Sequence, residues 1–258
     1  ASPRIAFTSM VCCLTSSART ECSASTPCWL RLFTATNFTS GQGLVLMKEV
    51  LYTISGKRLP MVFNMGARAL TSQGLNVHAG HDDVMSVADC GWGILFGRNA
   101  QEAGDLCLIA RRAADASFTP FMNVQDGFLT THTVESVKLI EPNLMKEFVG
   151  RPEDKLFNLM DTNNPVMSGV VQNQDSYMKG KIAQRHYYDL VEPALRDAFD
   201  LFYKKTGRRY DFVCPYRCED AEYVLVGMGC YMETAQTTID YLRDELGIKG
   251  GCLNVTCF

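Results

Sequence analysis

Residues Thr36–Asp83 constrain the fold more than any other stretch, because they read as turn, helix, strand and loop in immediate succession. The polar turn Thr39-Ser40-Gly41-Gln42-Gly43 follows a β-rich run, Phe33–Phe38, and leads into a helix-like run, Leu44–Ile54. Leu59–Asn64 then reads as a buried strand ending in Gly66-Ala67-Arg68, and a polar loop, Asn76–Asp83, comes after it. A strand, a crossover helix and a second strand imply a parallel pair. In an open sheet of that kind ligands lie off the carboxyl ends of the strands, so both polar loops fall where chemistry is expected.

The alternation continues along the chain. Asp89–Phe96 is apolar but broken by Gly91 and Gly93. Ala100–Ala114 has Ala103, Leu106, Ile109 and Ala110 on one helical face, with Glu102 early and Arg111-Arg112 late to suit the helix dipole. Pro120–Val124 is a short strand before the Asp126-Gly127 turn, Val134–Leu139 is strand-like, and Asn143–Val149 is a helix stopped by Gly150-Arg151-Pro152. Asp154–Gln184 is polar and irregular and reads as a long ordered arm. Tyr188–Thr206 is an amphipathic helix with Leu190, Ala194, Ala198, Leu201 and Phe202 on one side. Tyr210–Val213 and Tyr223–Met228 read as strands, Thr234–Leu246 as a helix after the Gly229 turn, and Cys252–Val255 as the beginning of another strand.

The expected fold class is therefore α/β: an open, mostly parallel sheet with helices on both faces, followed by part of a second α/β domain. The charged turn Glu219–Glu222 marks the expected boundary, giving units 34–218 and 219–258. The second unit looks too short to complete a sheet, and its last strand is expected to fray. Residues 1–33 stand apart. They are rich in Ser, Thr, Ala and Cys, with Arg4, Arg19 and Arg31 against one acid, Glu21. They read either as an organelle transit peptide or as the ragged, non-native start of a fragment.

Composition excludes several function classes. The chain has 258 residues, 47% hydrophobic and 21% charged, enough for a sizeable core. A net charge of -3 gives no nucleic-acid or anionic-membrane signature. No apolar run is long enough to span a bilayer. The eleven cysteines are odd in number and the later ones lie mostly in apolar segments, which points to reduced thiols rather than a disulfide framework. Cys214 and Cys218 form the one close pair with chelating spacing, and no second Cys or His pair follows, so no metal site is expected.

Arg68 is the sharpest candidate site residue. At the end of an apolar strand a guanidinium stands on a rigid support and can take a carboxylate through two parallel hydrogen bonds. The alternative is a structural ion pair with Asp82 or Asp83. Gly41-Gln42-Gly43 serves either as a tight turn or as a loop that offers backbone N–H groups to an anion. It lacks the third glycine of the dinucleotide fingerprint and the Lys-Ser/Thr of a nucleotide P-loop. His78, His81, Asp82 and Asp83 form a polar active-site or interface loop rather than a specific metal signature. His132, in Asp126-Gly127-Phe128-Leu129-Thr130-Thr131-His132, reads as a hydrogen-bonded structural histidine. No Ser or Cys lies in a nucleophile-elbow context.

Taken together, these blocks resemble the N-terminal part of pyruvate:ferredoxin (flavodoxin) oxidoreductase. FTSGQGLVLM, ISGKRLPMVF followed by Ala67-Arg68-Ala69, His81-Asp82-Asp83, AQEAGDLCLIA, DGFLTTH, VVQNQDSYMKG and TGRRYDF match in order from about Thr34. DAEYVLVGMG followed by Glu233-Thr234 resembles the start of that family's second domain. The resemblance implies the pyrimidine-side domain of a thiamine diphosphate enzyme. Such an enzyme converts pyruvate and CoA to acetyl-CoA and carbon dioxide and passes electrons through iron–sulfur clusters to ferredoxin or flavodoxin. It implies that Arg68 binds the substrate carboxylate and that Thr39, Ser40 and Gly41 lie at the cofactor, held with Mg. The family's activating glutamate falls in register near Ala18, and Glu21 lies in surroundings unlike the family's helix. The diphosphate-binding domain and cluster-binding cysteine motifs have no counterpart in these residues. The chain is therefore expected to be inactive alone and to belong to a longer, homodimeric, cytoplasmic enzyme, or a hydrogenosomal or mitochondrion-related one in a protist. Alternatives are a pyruvate:NADP oxidoreductase fusion, another 2-oxoacid oxidoreductase, or a non-catalytic scaffold paralogue.

Overall fold

A computed structural model of the chain describes residues 35–78, 80–151, 154, 161–165, 167 and 169–258. The expected leader 1–33, with Glu21 and the Ala18 register, lies outside the described residues.

The first unit is built on four parallel strands: β1 (Ala35–Thr39), β2 (Met61–Ala67), β3 (Gly93–Phe96) and β4 (Phe121–Asp126), in the order β1-β2-β4-β3. Every residue of β4 is buried, as befits a strand flanked on both sides and covered on both faces. Alternation along the strands sorts the core into two layers. Val62, Leu95 and Phe121 face one layer, and Phe63, Met65, Ile94, Met122 and Val124 face the other.

Over the first layer lie three helices, α4 (Ala100–Ser117), α5 (Pro142–Val149) and α7 (Val191–Thr206). They contribute Leu106, Ile109, Ala113, Phe148, Leu195, Phe199 and Phe202. Burying a side chain such as Leu106 or Phe121 stabilises the fold by roughly 1.5–3 kcal/mol relative to leaving it in water. The side chain of Asn99 caps α4 by accepting the Glu102 N–H at 2.9 Å, and the Glu102 carboxylate reaches back to the N–H of Arg98 at 2.8 Å. The motifs AGD and GRRYDF meet here: Asp105, fully buried, takes Arg208 through two bonds and the Tyr210 hydroxyl at 2.7 Å. That cluster ties the segment after α7 to α4.

Helices α1 (Gly41–Leu46) and α2 (Lys48–Gly56) cover the second layer, together with the short α3 (Asp82–Met85). The sequence predicts one helix over Leu44–Ile54; the structure divides it at Met47, whose N–H bonds back three residues to Leu44. Such a tightened turn ends one helix and lets the next start in a new direction, and both Leu44 and Leu51 remain fully buried.

Two other expectations change. Val134–Leu139 alternates like a strand but forms none. Its polar groups are taken by α4 instead: Lys138 N–H donates to the Gln101 side chain at 2.6 Å, and the Ala100 N–H donates to Glu135 at 3.0 Å. Asp154–Gln184 is not irregular throughout, because α6 (Gln174–Tyr188) begins within it. None of its fifteen residues is buried, so no apolar stripe marks it in the sequence. Residues 155–160 lie outside the described residues.

A second, three-stranded sheet follows, made of β5 (Val213–Tyr216), β6 (Tyr223–Gly227) and β7 (Gly250–Val255) in the order β5-β7-β6. β6 and β7 are parallel and joined by α8 (Tyr231–Asp244), and β5 is antiparallel to β7. The sheet thus takes its first strand from before Glu219, on the other side of the expected boundary. β7 is its central strand and does not form a fraying end. Beyond it the chain runs antiparallel beside β3, with Phe96 N–H donating to Thr256 at 2.8 Å and Phe258 N–H donating to Ile94 at 2.9 Å. The otherwise open edge of the first sheet is covered in this way.

Candidate functional site

The carboxyl ends of β1, β2 and β4 release three short segments side by side: Thr39-Ser40-Gly41, Arg68, and Asp126-Gly127. A buried carboxylate, Asp83 on α3, gathers the first two. It accepts the Gly41 N–H at 2.8 Å, the Arg68 N–H at 3.2 Å and the Val84 N–H at 2.8 Å. Burial pushes its carboxyl above the ordinary range, and the three N–H donors offset that only in part. Asp82 beside it accepts the Leu70 N–H at 3.1 Å.

The structural ion pair of Arg68 with Asp82 or Asp83, the alternative reading of this arginine, therefore does not form. Those carboxylates take backbone N–H groups, and the guanidinium has no carboxylate within ion-pair distance among the described residues. Its Nη2 donates to Gln42 Oε1 at 2.8 Å, and its Nε is buried without a partner. A buried, unanswered N–H on a cation is costly. The local sequence serves this placement. Gly41 sits at φ +49°, and a Cβ there would overlap the guanidinium of Arg68. Glycine is required at this position both for its backbone conformation and for space.

Of the two readings of Gly41-Gln42-Gly43, tight turn or anion loop, the structure shows a turn whose Gly41 N–H is taken by Asp83 of the same chain. Gly43 donates its N–H to Ser40 O at 3.1 Å. The Ser40 side chain at the start of α1 makes no capping bond. Gln42 is the partner that sequence reasoning missed. Its signal was a lone amide between two glycines, opposite an arginine.

The polar loop does not converge on a single point. His81 Nε2 lies 2.8 Å from Asp126 Oδ1, His78 packs beside Phe128, and Asp82 and Asp83 point to backbone donors. Among the described residues no group of three His, Cys, Asp or Glu side chains comes together to hold a metal. Cys214 and Cys218 likewise part company: Cys214 Sγ approaches Thr256, and Cys218 Sγ the Cys252 carbonyl. His132 stacks on Phe128 with ring centroids 4.1 Å apart, and its Nδ1 meets the Thr131 hydroxyl at 2.7 Å.

Asp126 is the second engaged carboxylate of the edge. Its side chain is fully buried, with Oδ1 on His81 and Oδ2 accepting the Cys230 N–H at 2.5 Å. Burial works against its charge, but the bonds from His81 and Cys230 outweigh it and hold the carboxyl below its usual range. Burial, and then the Asp126 carboxylate, push the Cys230 thiol up to about 12, so it is no thiolate nucleophile.

Comparison with known proteins places the chain in a family. The model of the pyruvate flavodoxin/ferredoxin oxidoreductase, thiamine diphosphate-binding family matches residues 32–200, more than half of the chain. The chain belongs to that family. Pyruvate synthase subunit PorA of Thermotoga maritima is 37% identical over 222 residues, 85% of this chain and 56% of that protein. The PorA of Pyrococcus furiosus is 34% identical over 94% of this chain and 60% of its own length. Pyruvate-flavodoxin oxidoreductase of Klebsiella pneumoniae is 34% identical over 86% of this chain but only 19% of its own. The chain thus spans somewhat over half of the PorA relatives and about a fifth of the longer one. A solved 2-oxoglutarate:ferredoxin oxidoreductase of Magnetococcus marinus shares the fold, with a TM-score of 0.60 at 15% identity over 86% of this chain and 41% of that one. Among the described residues no helix is long and apolar enough to cross a membrane.

Proposed function

We propose that this chain supplies the pyrimidine-side thiamine diphosphate domain of a pyruvate:ferredoxin or pyruvate:flavodoxin oxidoreductase, and that Arg68 binds the carboxylate of the 2-oxoacid. The observation that carries the reading is the guanidinium at the carboxyl edge, whose buried Nε donor has no partner and which meets no carboxylate among the described residues. A small anion in front of it would satisfy the cation and be oriented for loss of carbon dioxide. Thiamine diphosphate, when bound, supplies the carbon nucleophile and the electron sink.

Thr39 and Ser40 would face that group from the end of β1, and Asp83 holds their loop and Arg68 in register through the N–H groups of Gly41 and Arg68. The carboxylates of Asp82, Asp83 and Asp126 are each occupied by N–H groups, so none of the three is the free acid that would hydrogen-bond the pyrimidine. Ferredoxin or flavodoxin would be served by the rest of that enzyme, as the relatives' names support, and CoA is bound in the solved 2-oxoglutarate:ferredoxin oxidoreductase that shares the fold; iron–sulfur clusters would likewise belong to the rest of the enzyme. The described cysteines are free thiols, which suits a reducing cytoplasm.

The test is an assay of the enzyme assembled around this chain, with thiamine diphosphate, Mg2+ and CoA. Pyruvate should drive carbon dioxide release and reduction of ferredoxin or flavodoxin. Faster turnover of 2-oxoglutarate would move the substrate assignment, and no turnover of any 2-oxoacid would remove the function.

A further inference from the structure

The turn before α8, Gly227-Met228-Gly229-Cys230, has the form of an anion-binding turn, a glycine-flanked approach to the start of a fourteen-residue helix. The anion in it belongs to the first unit. Asp126 at the end of β4 places Oδ2 2.5 Å from the Cys230 N–H. Gly229 has φ +80°, and a Cβ there would overlap the Asp126 carboxylate. The other oxygen of the same carboxylate holds His81 at 2.8 Å. His81 lies next to Asp82 and Asp83, whose carboxylates take the N–H groups of Leu70, Arg68 and Gly41. One buried side chain therefore touches both the second sheet's helix and the loop that sets Arg68. A separate tie at the same interface, Asn99 Nδ2 to Glu233 Oε1 at 2.6 Å, bypasses that loop.

We propose that Asp126 is a positioning residue that couples the seating of α8 to the geometry of the Arg68 site, acting through His81. The proposal rests on the reading of Arg68 as the oxoacid-binding cation. Docking of the second unit then does more than bury surface, because it fixes the loop 78–83 against β2. Asn99 serves as the internal control, since it joins the same helix to the first unit without contacting that loop.

The experiment compares Asp126→Asn, His81→Ala, His81→Gln and Asn99→Ala by two readouts. The first is the KM and kcat for pyruvate in the assembled enzyme. The second is amide hydrogen exchange in this chain, at α8 and at Arg68, Leu70 and Val84. Asp126→Asn should raise KM by about tenfold, the scale of one charge-assisted hydrogen bond, with kcat changed far less. Exchange should rise both at α8 and at the three loop amides. His81→Ala should raise KM and loop exchange while α8 stays protected, and His81→Gln, which keeps an N–H donor, should restore both. Asn99→Ala should speed exchange at α8 and, through loss of its cap, at the first turn of α4, but not at Arg68, Leu70 or Val84. If Asp126→Asn loosens α8 but leaves KM and the loop amides unchanged, Asp126 is only a docking contact. If Asn99→Ala disturbs the loop equally, undocking in general and not His81 carries the effect, and the proposal is wrong. Should Asp126→Asn fail to fold, the two His81 variants decide the link alone. Absence of pyruvate turnover in the unsubstituted enzyme would overturn the functional reading, while the loop amides would still decide the coupling.

Discussion

At the scale of single residues, Gly41 and Arg68 are fitted to each other. Gly41 holds φ +49° and leaves room for the guanidinium, which then lies over the turn with one donor on Gln42. Gly41→Ala should cost about 1–2 kcal/mol from backbone conformation alone and displace Arg68 as well. Chemical unfolding and the pyruvate KM should both worsen, and a KM that stays put while stability drops would separate the turn from the site. Asp126 makes a prediction about acid. In the folded chain its carboxyl lies below its ordinary value of 3.8, so as pH falls the unfolded chain takes up the proton first. Its stabilising share is complete above about pH 5 and is lost as pH falls through the folded value. Urea titrations should show Asp126→Asn clearly less stable than the native chain near pH 7, with the gap closing toward about pH 3. A gap independent of pH would mean that the charge contributes nothing. Arg68 was legible in the sequence because it directly follows an apolar strand. The use of Asp83 was not, because its partners Gly41 and Arg68 lie 42 and 15 residues away and offer only backbone N–H groups.

At the scale of elements, β2, β4 and the helix α4 stand close to where spacing puts them, since each carries buried apolar residues at its own period. Val134–Leu139 has the period of a strand but forms none: the Gln101 side chain on α4 takes the N–H and C=O of Lys138, and Glu135 accepts the Ala100 N–H. The helix α6 escaped notice for the opposite reason, having no buried residue to mark a face. The last strand was misjudged because position in the chain says nothing about position in a sheet: β7 is central, and Thr256–Phe258 cover β3. Removing residues 256–258 should therefore expose an apolar parallel edge and promote self-association, which light scattering would detect. An unchanged monomer mass would show that the edge is protected by something else. Within the core, Leu106→Ala on α4 removes a fully buried side chain from the layer shared with α7. It should cost about 2–5 kcal/mol in chemical unfolding.

At the scale of the whole molecule, a parallel sheet presents three loops at its carboxyl edge, the second sheet's helix is tied to that edge by Asp126 and Asn99, and residues 256–258 run beside β3. In the proposed reading the thiamine-dependent chemistry takes place at this edge, and the unpaired cation marks where the 2-oxoacid would bind. The most direct measurement is the pyruvate KM of the assembled enzyme with Arg68→Ala set beside Arg68→Lys. A charge-assisted pair of hydrogen bonds is worth roughly 1.5–3 kcal/mol, so Arg68→Ala should raise KM by about ten- to a hundredfold. Arg68→Lys, keeping the charge but not the fork, should fall between. A KM for Arg68→Ala equal to that of the unsubstituted enzyme would contradict the account.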